Sequence, residues 1–204
     1  MTEVQRGAAD LPGDTGPASL PKITGDFDFL VGTWMVAHRT RSAPLTGSDK
    51  WSEFSGPMQA WTHFNGGVSI DEFHFPHRGT RGLTVRFFDP NAGIWSIYWV
   101  SSIDGMLQRP VHGRFDGNVG YFYGDDEFIG KPIRIRYIWT DLGPRSARWE
   151  QAFSPDGGST WETNWVMELT RTGSKPDGSE PADLVTDTAR LPGRRDEFRI
   201  HPQS

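Results

Sequence analysis

Polar and apolar residues alternate along most of this chain, and the apolar positions are largely aromatic or β-branched. "FLVGTWMVAHRT" at 29–40, "VSIDEFHF" at 68–75, "GLTVRFFD" at 82–89 and "IWSIYWVS" at 94–101 show the pattern. A period of two puts successive side chains on opposite faces of a strand. "WSEFSGPMQAWTHF" at 51–64 is broken by Gly56-Pro57, which predicts a bulge or bend. Further strands are expected at 106–115, 119–124, 132–142, 146–153 and 160–169. Turn signals separate the runs: "NGG" at 65–67, "DPNAG" at 89–93, "DGN" at 116–118 and "SPDGGST" at 154–160. No helical period intervenes. A meander of hairpins hides its edges by closing on itself. The expected fold is all-β, an up-and-down antiparallel β-barrel of about ten strands.

The chain has 204 residues, room for one domain and two tails. Residues 1–25 are rich in Gly, Pro, Ala and Asp and are expected to be a disordered tail. The barrel is expected over 26–171, and 172–204 reads as a second, mostly disordered tail, with a short docking segment near Leu184 or Phe198 left open. There is no cysteine, so disulfide frameworks, thiolate catalysis and Cys-based zinc sites drop out. The formal charge of −5, with no basic block, gives no support to a nucleic-acid partner. No apolar run approaches a membrane span, and no basic segment leads into an apolar one at the N-terminus. A soluble cytoplasmic protein is expected, and a homodimer is left open.

Nine tryptophans change the picture. They bring large apolar area with one polar handle each, which suits either a solid core or a cavity for a flat apolar ligand. Alternate residues of a small barrel face its lumen. Setting the phase by apolarity puts Trp34, Val36 and His38 inside. It also puts Leu83, Val85 and Phe87 inside, then Trp95, Ile97 and Trp99, with Tyr98 outside. Ile133, Ile135, Tyr137 and Trp139 follow, then Trp149, Gln151 and Phe153, then Trp161, Thr163, Trp165 and Met167. On 68–75 two sets compete: Val68, Ile70, Glu72 and His74 against Ser69, Asp71, Phe73 and Phe75. The expected ligand-binding residues are Trp34, His38, Trp61, Glu72, His74, Phe87, Trp99, Tyr137, Trp149 and Trp165. The ligand or substrate is expected to be small and hydrophobic.

His38, Glu72 and His74 are the candidate catalytic residues. Glu72 and His74 lie two apart on one strand and share a face. With His38 they form a candidate acid–base cluster, and their types also suit zinc. No ligand motif of diagnostic spacing supports a metal, so none is assigned. No phosphate loop, nucleophile elbow or His-Glu-x-x-His motif is present. Arg86, Arg134, Arg136 and Arg148 are expected on the outer wall with Glu150, Glu162 and Glu168. With inverted phase they would line the lumen and call for an anionic ligand.

"FSPDGGSTWET" at 153–163 resembles the Asp-box of sialidase propellers, but it occurs once, and the chain is too short for a propeller. Its expected role is that of a turn. Gly-x-Trp in "FLVGTW" resembles the lipocalin and wider calycin signature. "RGLTVRFFDPNAGIWSIYW", "GYFYGDDEF", "PIRIRYIW" and "ARWEQAFSPDGGSTWETNWVMELTR" look like motifs of a bacterial lipocalin-like family. The resemblance covers roughly 26–171 and implies a calycin barrel that binds a small hydrophobic molecule. It fixes no reaction. A cofactor-independent cyclase, isomerase or lyase acting through His or Glu is the alternative reading. Nitrobindins, which bind haem, resemble the chain more distantly. Their proximal histidine lies in the C-terminal part of the barrel, where "TNWVMELTR" has none. Haem is therefore disfavoured and no cofactor is expected.

Overall fold

The structure, a computed structural model, describes residues 22–174. The expected tails at 1–25 and 172–204, and the docking segments near Leu184 and Phe198, lie almost wholly outside the described residues.

Ten strands follow one another: β1 (Gly32–Arg41), β2 (Trp51–His63), β3 (Val68–Phe75), β4 (Thr80–Asp89), β5 (Ile94–Ser101), β6 (Val111–Asp116), β7 (Val119–Phe128), β8 (Lys131–Asp141), β9 (Ser146–Ser154) and β10 (Glu162–Gly173). Each pairs antiparallel with its neighbours in the chain, and β1 closes on β10 through pairs such as Val36 with Leu169. The up-and-down barrel is thus closed and has no free edge. The helical elements among the described residues are three short 3-10 turns, Asp28–Leu30, Phe64–Gly66 and Pro76–Arg78. None is long and apolar enough to cross a membrane.

Strands β3 and β5 have the expected bounds, 68–75 and 94–101. β6 starts later than expected, at Val111, because the chain loops through 102–110. Pro110 in that loop has no N–H to give to a ladder. Gly56-Pro57 does not interrupt β2. The strand runs through them in register with β1, and a Cβ at Gly56 would lie 2.1 Å from the His74 carbonyl oxygen.

The two ends of the barrel differ. At one end the segment before β1 enters the lumen. Phe27 and Leu30 are fully buried, and the Phe27 ring packs edge-on against Trp95 and Phe115, both at 4.9 Å between centroids. Trp34 donates its indole N–H to the Leu30 carbonyl at 2.7 Å, and Trp95 donates to Asp26 at 2.9 Å. Arg171 lies 4.1 Å over the Trp34 ring. It donates to the carbonyls of Phe29, Val31 and Pro144. Gly32 has φ +128°, and a Cβ there would meet the Gly173 carbonyl oxygen at 2.4 Å. Only glycine lets the strand pass this close. The Gly-x-Trp pair therefore seals this end.

Candidate binding cavity

The opposite half of the barrel is hollow. A cavity of about 170 Å³ opens between the strands. Its walls are Phe73 and Phe75 of β3, Trp99 of β5, Tyr137 and Trp139 of β8, Trp149 and Phe153 of β9, and Trp165 and Met167 of β10. Arg41 at the end of β1, with Ser42, Pro44, Gln108 and Ile129 from the connections at the open end, forms its mouth. Gly82 makes room for one wall: a Cβ there would lie 1.9 Å from the Trp99 ring.

The polar groups fall into two sets. Deep in the barrel, buried Arg86 pairs with buried Asp71 and donates to Ser69 Oγ at 3.2 Å. The guanidinium also lies 4.7 Å from the Phe27 ring centroid and 5.2 Å from that of Trp139. Burial pushes the Asp71 carboxyl upward, and the adjacent Arg86 opposes that push. Removing either partner would strand a charge in the core. Higher up, Tyr137, Gln151 and Asn164 lie on the adjacent strands β8, β9 and β10. Burial pushes the Tyr137 phenol well above its ordinary value, and the nearby Asp126 adds to the effect, so the hydroxyl stays protonated.

The structure brings some of the expected residues together and separates others. Trp99, Tyr137, Trp149 and Trp165 line the cavity. Trp34 faces inward but belongs to the sealed end. His38 faces inward and is buried, yet it does not line the cavity; Phe73, Phe75 and Trp165, which do, pack around its ring. Its Nδ1 accepts from the Trp165 indole at 3.2 Å, which leaves the proton on Nε2. Burial, aided by the charges of His77 and Arg78, lowers its pKa to about 3, so His38 is neutral near pH 7.

Besides Trp34 and His38, four expected binding residues lie outside the cavity and need correction. Ser69, Asp71, Phe73 and Phe75 are the inward set of β3, so Glu72 and His74 face out. Glu72 accepts from Arg81 at 3.1 Å on the outer wall. His38, Glu72 and His74 therefore do not converge, either as an acid–base cluster or as a metal site. Among the described residues no group of three His, Asp or Glu side chains is placed to hold a metal. On β4 the inward residues are Gly82, Thr84 and Arg86, not Leu83, Val85 and Phe87. Phe87 is 47 % exposed and packs against Tyr98 outside. Trp61 is also outward, in a row with Ile70, Val85 and Tyr98 across β2 to β5. Cross-strand partners share a face, so these positions turn together.

The outer arginine set loses Arg86 to the lumen, where Asp71 neutralises it. The anionic ligand expected for an inverted phase therefore does not follow. Arg148 does bridge Glu150 and Glu168 on the outer wall, at 2.8 and 2.9 Å. Glu162 sits at the rim and accepts from the Leu45 N–H at 2.7 Å. On β10 the register shifts between Thr163 and Trp165. Trp161 and Thr163 thus face out, and Trp161 lies under Arg136, 4.7 Å away.

The Asp-box is a turn at the open end. Asp156 accepts from Ser154 Oγ at 2.7 Å, from the Thr160 N–H at 2.8 Å and from the Thr160 hydroxyl at 2.6 Å. The Thr160 bonds, with that from Ser154, lower its pKa to about 2. Trp161 closes the loop by donating to the Gly158 carbonyl at 3.0 Å.

Sequence reasoning missed Asn164 and left Phe73 and Phe75 undecided. A bulge was the missing signal for the first. In comparison with known proteins, no family model and no curated protein matches the chain.

Proposed function

We propose that this barrel binds a small, flat, largely apolar molecule in its open half, within the cytoplasm. The observation that carries this reading is a cavity of about 170 Å³ walled by Phe73, Phe75, Trp99, Trp149 and Trp165. Apolar walls with a few polar groups are the usual make-up of small-molecule sites. An apolar cavity of roughly 150 Å³ suffices for one benzene ring. The likeness of "FLVGTW" and of the later strand motifs to lipocalin-like proteins points the same way. The reading needs no cofactor. Haem held through a histidine, as in nitrobindins, would need an accessible imidazole, and His38, the inward histidine described, is enclosed by rings with Nδ1 already engaged.

The test is a titration with bromobenzene, read by tryptophan fluorescence and by thermal unfolding. A bound heavy-atom ring quenches the lumen indoles saturably and raises the melting temperature through mass action. Thr84 lines the cavity. Thr84→Phe fills it and abolishes both responses. Linear, non-saturating quenching in the unaltered protein, unchanged in Thr84→Phe, contradicts the reading.

A further inference from the structure

Asn164 sits at the register shift of β10. As the neighbour of inward Trp165 it would face outward in a regular strand. The shift turns it inward instead, so two successive residues line one wall. Asn164 is only 4 % exposed. Its Oδ1 accepts from Gln151 Nε2 at 2.9 Å, while its Nδ2 is buried without a hydrogen-bond partner. An unpaired buried donor costs stability until something accepts from it.

The surroundings define what would pair with it. Gln151 lies directly across from both Tyr137 and Trp165, so Tyr137, Gln151 and Asn164 make a polar strip on β8 to β10. The facing wall, about half-way round the barrel, carries the rings of Phe75 and Trp99. The charged group deep in the cavity, Arg86, is held by Asp71 and Ser69. The other cation in the lining, Arg41, is engaged by the Thr163 and Ser48 carbonyls and by Glu162, so an anion entering here would shed its water with neither described cation of the cavity left unpaired. Building on the ring-binding reading, we propose that the cavity selects a neutral, flat, ring-sized molecule with a carbonyl-type oxygen, which accepts the Asn164 Nδ2–H bond while the ring stacks among the lumen aromatics.

Three probes share one ring and differ at one end: ethylbenzene, acetophenone and benzoate. Calorimetric titration should show acetophenone binding at least about tenfold more tightly than ethylbenzene, the size of one well-made hydrogen bond. Benzoate should bind more weakly than acetophenone. In Asn164→Leu the affinity for acetophenone falls to that for ethylbenzene, while ethylbenzene itself is retained. Should that variant not fold, the Asn164 side-chain amide resonance of the unaltered protein serves. It should shift with acetophenone and stay in place with ethylbenzene. Equal affinity for ethylbenzene and acetophenone overturns the anchor and leaves the container intact. Benzoate binding most tightly overturns the neutral class and makes Arg86 the anchor. Binding of none of the three overturns both the anchor and the container.

Discussion

The two halves of the barrel are built from the same residue types, yet one is solid and the other hollow. At the sealed end Trp34, Trp95 and Phe122 are buried, and Phe27 and Leu30 fill the space between the walls. At the open end Phe73, Phe75, Trp99, Trp149 and Trp165 surround space. Aromatic content does not distinguish the two; the plug does. Polar satisfaction differs in the same sense. The indoles of Trp34 and Trp95 find a carbonyl and a carboxylate, and Arg171 satisfies three carbonyls. In the hollow half the Nδ2 of Asn164 and the Nε of Arg86 are buried without partners. These groups of the sealed end are paired, and the hollow end retains unsatisfied ones.

The largest expected effect is at the seal. Trp34→Ala removes a fully buried indole and the base on which Arg171 lies, and should cost about 3–5 kcal/mol in denaturant unfolding. Trp99→Ala, at a half-buried wall that already borders space, should cost less, about 1.5–3 kcal/mol. It should also widen the cavity, so that naphthalene gains on benzene in affinity. Equal costs for the two substitutions would erase the distinction between the halves. Gly82→Ala places a methyl against the Trp99 ring and should cost about 1–3 kcal/mol as overpacking. The displaced indole would move into the cavity, so bromobenzene binding should weaken in the same variant.

Near pH 7 the smallest effect is at His38, because it appears only on acidification. His38 titrates near 3 in the folded protein, against 6.5 for the free side chain. Between those values the unfolded chain binds a proton that the native state does not. Its stabilising contribution is therefore complete above about pH 6.5 and shrinks as pH falls toward 3. His38→Phe should flatten the stability curve across this window, as read by urea midpoints at successive pH values. An unchanged slope would show that His38 is not the group responsible.

Much of the barrel is legible in the sequence, because alternation and tight turns are local. Strand order follows once every connection is a hairpin. Lumen phase is harder, because outer walls also carry apolar residues. On β4 the apolar set Leu83, Val85 and Phe87 is the outer one, and the inner set contains a glycine, a threonine and an arginine. The hairpin register held the missing information. The turn at 89–93 pairs Phe88 with Trp95, so an inward Trp95 forces Phe88, Arg86, Thr84 and Gly82 inward. Apolarity was the weaker guide because Arg86 has its counter-charge, Asp71, on the next strand. On β3 the same register would have chosen Phe73 and Phe75 over Glu72 and His74. Asn164 was illegible for another reason. A bulge breaks the period of two, and no local residue in "TNWVM" announces one.

The most direct test of the hollow half is a crystal of the protein soaked in bromobenzene, measured at the bromine absorption edge. An anomalous peak among Phe75, Trp99 and Trp165 is the predicted result. A lumen filled by those three side chains, with no bromine peak inside the barrel, would contradict it.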